Sequence, residues 1–221
     1  MVFEKDGCEV VVEADHILNA LGRTPQLAGL ENLGLQIRAG RIDADAGQRT
    51  SVPNIFAAGD VCGPSEVVHV AIQQGEVAAA NAASLLGLRS GPPRSMDYRL
   101  KLFAVFSEPQ LACVGATEAE LQSAGTDHVI ATYPFNDHGK SLVMGETAGF
   151  VKITASKASG EILGAAVVGP DASELIHEVT VAMHYRATVQ EFANIPHYHP
   201  TLSEIWTYPA EEIVSQIIPA S

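Results

Sequence analysis

A run of chain breakers at residues 87–95, with Gly91-Pro92-Pro93 at its centre, divides the sequence and limits what each side can become. Consecutive prolines remove two backbone donors, and the flanking glycines loosen the chain, so neither a helix nor a strand ladder continues through it. Beyond the break, strand-like runs come first, at residues 102–106, 111–114, 129–135, 149–155 and 162–168. Lys157-Ala158-Ser159-Gly160 joins the last two as a hairpin. Thr117-Glu118-Ala119-Glu120 opens a helix that ends near Gly125. Asp171 is placed to cap a long helix with Leu175, Ile176, Val179 and Met183 on one side. A short helix is expected over 189–194, and a last one follows His199-Pro200. Strands grouped ahead of helices argue an α+β domain, an antiparallel sheet with helices.

The first half has a different grammar. Residues 2–5 and 9–13 read as strands joined through Asp6-Gly7 as a hairpin. A third apolar run, residues 16–21, reads as a strand stopped by Gly22-Arg23-Thr24-Pro25. A hairpin followed by a crossover is an unusual way for a domain to begin, so a larger unit is expected upstream. Residues 55–58 are expected as a short buried strand with Gly59-Asp60 at its carboxyl end, where parallel sheets bind ligands. Glycine there permits close backbone approach, and Asp60 can accept a hydrogen bond from a sugar-like hydroxyl; a plain Gly-Asp turn is the ordinary alternative. Residues 66–86, rich in alanine, predict a helix whose first turn, near Val68-His69-Val70, offers free N–H groups to an electron-rich ligand.

Composition narrows the classes. With 47% apolar and 18% charged residues over 221 positions, the chain can bury a core. Thirteen basic against 26 acidic residues give a net charge of −13, which argues against nucleic acid or an anionic membrane as partner. No run is long and apolar enough to span a bilayer, and Met-Val-Phe-Glu-Lys-Asp-Gly lacks a basic-then-apolar leader pattern, so a cytoplasmic protein is expected. Cys8, Cys62 and Cys113 are odd in number and far apart, giving neither a disulfide framework nor a metal cluster. They read as small buried residues.

The chemistry concentrates in His197-Tyr198-His199-Pro200-Thr201-Leu202-Ser203-Glu204. Pro200 biases His199 toward an extended conformation, outside the helix that follows. A carboxylate on the first turn can accept the imidazole N–H, fix its tautomer and raise its basicity, making His199 a positioned acid/base. Thr201-x-x-Glu204 equally has the form of a structural capping box. His197 competes for the role.

Six motifs in one order then carry a resemblance: Gly22-Arg23-Thr24-Pro25; Asn54-Ile55-Phe56-Ala57-Ala58-Gly59-Asp60; Phe106-Ser107-Glu108-Pro109; Gly145-Glu146-Thr147; Leu163-Gly164-Ala165; and His199-Pro200-Thr201-Leu202-Ser203-Glu204. Together they resemble the FAD-dependent pyridine nucleotide–disulfide oxidoreductases, on the side of dihydrolipoamide dehydrogenase and mercuric reductase. The resemblance implies that residues 1–24 close an NAD-binding domain, with Gly22 near the nicotinamide cofactor. It implies that 25–92 form the second half of an FAD-binding domain and 93–221 a dimerisation domain. Asp60 would hold the ribitol or phosphate region of FAD behind Gly59, and the backbone of Glu66, Val67, Val68 and His69 would approach the isoalloxazine. The family usually has a Met-Leu-Ala-His-like run there, from which this chain departs in side chains. His199, held by Glu204, would reach the partner subunit's redox disulfide and serve a dithiol substrate, which needs a base beside its sulfur.

Several family parts are absent: there is no Gly-x-Gly-x-x-Gly, no acidic ribose partner and no Cys-x-x-x-x-Cys. The expectation is a C-terminal part of a longer enzyme that passes electrons between a dithiol/disulfide and NAD(P) through FAD. The final Ile217-Ile218-Pro219-Ala220-Ser221 lacks the paired cysteines of mercuric reductases, which favours dihydrolipoamide dehydrogenase; mercuric reductase-like and transhydrogenase relatives remain open. The rival is a non-catalytic dimerisation module. A homodimer is expected because the apolar faces around Leu175 and Ile205 exceed what one small sheet needs to cover.

Overall fold

In the computed structural model, which describes residues 1–217, Asp6 and Gly7 both take positive φ, 54° and 76°. That turn matches strand twist and joins β1 (Val2–Lys5) to β2 (Cys8–Val11) as an antiparallel hairpin. Ala39 and Gly40, at φ 49° and 76°, do the same between β3 (Ile37–Arg38) and β4 (Arg41–Ile42). The contacts divide the chain into Met1–Met96 and a second unit beginning at Asp97.

Within the first unit α1 (Val68–Leu85) is the one long element. Its buried residues are Val70, Gln74, Val77 and Asn81, one face at helical spacing but half polar. The two amides sew the helix to loops. Gln74 accepts from the Gly59 N–H at 2.6 Å and donates to the Gly63 carbonyl at 2.6 Å. Asn81 donates to the carbonyls of Gly47 and Arg94, each at 2.8 Å, and accepts from the Arg94 N–H. Buried loop backbone is thereby satisfied without a sheet.

Two strand expectations fail here. Residues 16–21 form no strand; Leu18 and Leu21 are 91% and 96% exposed. No neighbour supplies a ladder, and apolar character alone does not make a strand. Residues 55–58 contribute a single bridge, Phe56 to Arg49, rather than a strand of a parallel sheet.

In the second unit β5 (Phe103–Val105), β6 (Gln110–Gly115), β7 (His128–Pro134), β8 (Phe150–Ser156) and β9 (Ile162–Gly169) form one antiparallel sheet of order β5-β6-β9-β8-β7. This is the α+β architecture expected from the grouped strands. Alternate residues Val151, Ile153 and Ala155 of β8 are fully buried, the period of a half-covered strand. The unit's helices are α2 (Glu118–Ser123), α3 (Gly139–Met144), α4 (Ala172–His184), α5 (Val189–Ala193) and α6 (Thr207–Ile217), and the strand residues share a core with the last three. Ile176, Val179 and Met183 of α4, Phe192 of α5 and Ala210 and Ile213 of α6 belong to it. Each large side chain so buried contributes about 1.5–3 kcal/mol.

Three further expectations are corrected. Asp171 precedes α4 but at φ 48° its side chain caps nothing; the Ser173 N–H is served instead by Gln110, 3.2 Å away. Leu175 (6% exposed) and Ile205 (0%) are consumed by their own unit's core, so neither face is surplus. The cysteines are not core residues: Cys8 is exposed, and Cys62 and Cys113 are half-buried. Burial nonetheless pushes both half-buried thiols up from their ordinary pKa. Among the described residues, no helix is long and apolar enough to cross a membrane.

Candidate active site

Glu204 lies in a 3₁₀ turn, Ser203–Trp206, that leads directly into α6. The two residues after it, Ile205 and Trp206, are fully buried, and the Trp206 indole donates to the Leu175 carbonyl at 3.1 Å. These anchors drive the turn into the core and take Glu204 with it, to 7% exposure. A buried carboxylate needs partners. Glu204 Oε2 and Oε1 lie 2.9 and 3.1 Å from Nδ1 of His199. A carboxylate only accepts, so Nδ1 carries the proton of this bond. The His199 side chain is 76% exposed, which leaves Nε2 as the nitrogen available to a substrate.

His197 is placed quite differently. Its side chain is 6% exposed, with Nε2 on the Glu178 carboxylate and Nδ1 at 2.8 Å from the Ile195 carbonyl. With both nitrogens engaged, it has none to offer. The capping-box form of Thr201-x-x-Glu204 is not realised either. Leu202 is the N-cap, without a side-chain bond, and the Thr201 hydroxyl donates to the Tyr198 carbonyl at 2.7 Å. The carboxylate serves the imidazole instead of the helix end.

One residue that sequence reasoning missed joins this pair. His138, fully buried between β7 and α3, has Nε2 3.4 Å from Glu204 Oε1 and Nδ1 2.8 Å from the Ser141 hydroxyl. The signal for it was slight: one histidine before a glycine in a stretch with no clear period.

The residues expected to meet cofactors lie in the first unit. Gly22 is exposed, with φ 103° and nothing near its α-carbon on the side-chain side. Gly59, at φ 81°, sits so close to α1 that an added Cβ would lie 3.5 Å from the Ala71 methyl. The Asp60 carboxylate pairs with Arg23 at 2.8 Å, and its carbonyl accepts from Arg41 at 2.7 Å. Arg41 also pairs with Glu66, whose pKa that guanidinium lowers. Glu66 falls outside the helix expected to include it, because α1 starts at Val68 with Val67 as an extended N-cap. No side chain caps that end, and Nε2 of His69 is buried without a hydrogen-bond partner. Arg23, Asp60 and Glu66 line one cleft of about 260 Å³. Arg23 and Arg41 were not singled out from sequence, since the partners of a lone arginine are not local.

Residues 2–75 match the model of the pyridine nucleotide-disulphide oxidoreductases, and residues 103–210 match the dimerisation domain of the same family. The chain belongs to that family. Among curated relatives it is 38% identical over 218 residues to the dihydrolipoyl dehydrogenase of Halobacterium salinarum, a match covering 97% of this chain and 44% of the relative. It is 38% identical over 221 residues to the dihydrolipoyl dehydrogenase of Bacillus subtilis, covering 99% and 46%. The crystal structure of LpdA from Mycobacterium tuberculosis superposes with a TM-score of 0.80 at 30% identity, over 94% of this chain and 44% of that one. The chain therefore spans less than half the length of these relatives.

Proposed function

We propose that this chain supplies the acid–base and dimerisation half of a flavoprotein disulfide oxidoreductase of the dihydrolipoyl dehydrogenase kind. The observation that carries the reading is the His199–Glu204 pair. A buried carboxylate fixes Nδ1–H, and an exposed imidazole keeps Nε2 for chemistry. A dithiol reacts as its thiolate, so a neutral Nε2 can take the thiol proton and hold it at that atom until a leaving thiolate needs it back. Glu204 stabilises the imidazolium so formed. His197 lacks a free nitrogen for the same work.

In this reading residues 1–24 end an NAD-binding domain, 25–92 belong to an FAD-binding domain and 93–221 form the dimerisation domain. The last four residues lie outside those described. The first unit fits one flank of a flavin: the N-terminus of α1 has no side-chain cap, His69 Nε2 is an orphaned buried atom, and Gly59 allows close packing. Gly59, Asp60 and the 66–69 backbone would hold that group, and Gly22 would lie toward NAD(P). Bound FAD would supply the electron relay between dithiol and nicotinamide. A second copy of the chain is the partner, against which Val181, Tyr185, Ile195 and Tyr198, 58%, 78%, 47% and 82% exposed, would pack. A cytoplasmic location completes the proposal. Mercuric reductase-like or transhydrogenase chemistry would use the same frame, and a purely dimerising module is the rival from another class.

The test uses the full-length flavoprotein. His199→Gln should lower dithiol turnover by about 10²–10⁴, the usual size of a general acid–base effect. NADH-driven reduction of an artificial acceptor, which bypasses the disulfide, should fall far less. Glu204→Gln should cost less than His199→Gln. Equal loss of both activities, or no loss, refutes the assignment.

A further inference from the structure

We propose that His138 is a positioning residue for this pair: a buried, uncharged imidazole whose Nε2–H holds the Glu204 carboxylate against His199. The inference deepens, and rests on, the reading of His199–Glu204 as an acid–base pair. Glu204 Oε1 stands between the two rings, 3.1 Å from His199 Nδ1 and 3.4 Å from His138 Nε2. The latter contact is longer than a formed hydrogen bond. Nε2 has no other partner among the described residues, so the carboxylate is the one group its N–H can serve.

The tautomer follows from the other side of the ring. Ser141 is fully buried, and its hydroxyl, 2.8 Å from Nδ1, can donate as well as accept. When it donates, Nδ1 is the acceptor and the proton sits on Nε2, facing the carboxylate. The reverse tautomer points a lone pair at a carboxylate oxygen. A doubly protonated ring would place a charge in a site with 0% exposure. Burial is the largest influence on His138 and pushes its pKa below the usual imidazole range, against the opposing pull of Glu204; the nearby His199 also lowers it. Of the other groups around it, Tyr208 meets the ring edge-on with centroids 6.2 Å apart and stacks on Tyr133. The Tyr133 hydroxyl donates to Asp137, the residue before His138, at 3.0 Å. The ring is thus held by Tyr208 of α6, itself stacked on Tyr133 of β7, and by Ser141 of α3, and its N–H faces Glu204 as a neutral second donor. Its charge stays available to His199.

The experiment reads the tautomer of neutral His199 by imidazole ¹⁵N shifts in this chain, with circular dichroism as the check on folding. In the wild type the Nδ1–H form should dominate. His138→Leu should lower the Nδ1–H to Nε2–H ratio by up to about fivefold, the size of one fully formed net hydrogen bond. His138→Gln keeps an N–H that reaches the same oxygen and should restore the ratio. Ser141→Ala, which frees the His138 tautomer with little change in packing, should lower it by less than His138→Leu does. An unchanged ratio in folded His138→Leu and Ser141→Ala overturns the proposal, as does a His138→Gln ratio as low as that of His138→Leu. If His138→Leu does not fold, the other two variants decide. A wild-type His199 without a fixed tautomer would instead refute the pair itself, so the two failures are distinguishable.

Discussion

Trp206 is the sole tryptophan of the chain and the pin that sets the depth of the Glu204 turn, so Trp206→Phe tests how the site is held. The indole is fully buried and donates to the Leu175 carbonyl at 3.1 Å. Phenylalanine removes that donor and part of the ring system. The carbonyl belongs to α4 and keeps a helical partner, so losing its second bond costs about 1 kcal/mol, the low end for a buried acceptor. Complete truncation of a buried tryptophan costs about 3–5 kcal/mol, and trimming only part of the ring adds about 1–2 kcal/mol. The expected total is about 2–3 kcal/mol, or a fall in Tm of about 10 °C for a unit of this size. Urea and thermal unfolding followed by circular dichroism measure it, because the variant has no tryptophan emission. A loss below about 1 kcal/mol would show that the turn is held by something other than Trp206, and the account of Glu204 burial would fall with it.

Two further outcomes are expected. Gly149 sits at φ 104°, where an added Cβ would stand 1.8 Å from the Val168 carbonyl oxygen, so Gly149→Ala should break the start of the β8–β9 pairing. By contrast Gly75 lies within α1 with nothing within 4 Å, and Gly75→Ala should stabilise by about 0.5–1 kcal/mol; unfolding midpoints in the reverse order would refute this backbone reading. The second concerns acid. The Lys101 ammonium, helped by the Thr117 N–H and hydroxyl, lowers the Glu120 carboxyl from 4.5 to about 2. A depressed folded pKa means the contribution is fully present above the unfolded value and is lost as pH falls through the folded one. Both side chains are about half exposed, so solvent screening keeps the effect small. Lys101→Met should therefore lose less stability than wild type between pH 4.5 and pH 2; identical acid limbs in urea unfolding would contradict the pairing.

What could be read from sequence followed how local the cause was. Asp6-Gly7 needs only two left-handed residues to make its hairpin, and the face Leu175, Ile176, Val179 and Met183 shows within one helix. The failures have distant causes. Residues 16–21 are apolar enough for a strand, but a strand requires a neighbour, and none stands beside them among the described residues. Asp171 has the right side chain for a cap and the wrong φ, imposed by the turn out of β9. Leu175 and Ile205 looked surplus because the area of a sheet's covering layer cannot be judged from one helix at a time.

The site shows the same limit within a single motif. Thr-x-x-Glu occurs at Thr117–Glu120, Thr188–Glu191 and Thr201–Glu204, and the first two are capping boxes in both directions. There the threonine is the N-cap, and the glutamate at N3 reaches back to its N–H while staying near solvent. In the third the helix begins one residue later, with Leu202 as N-cap, so Glu204 stands at N2 and cannot close the box. Ile205 and Trp206, both buried, then turn it inward, toward the ring nitrogens of His199 and His138. A one-residue shift in where a helix starts converts a capping glutamate into the buried partner of His199. That shift is set by what the next two side chains bury, and the four letters of the motif do not contain it.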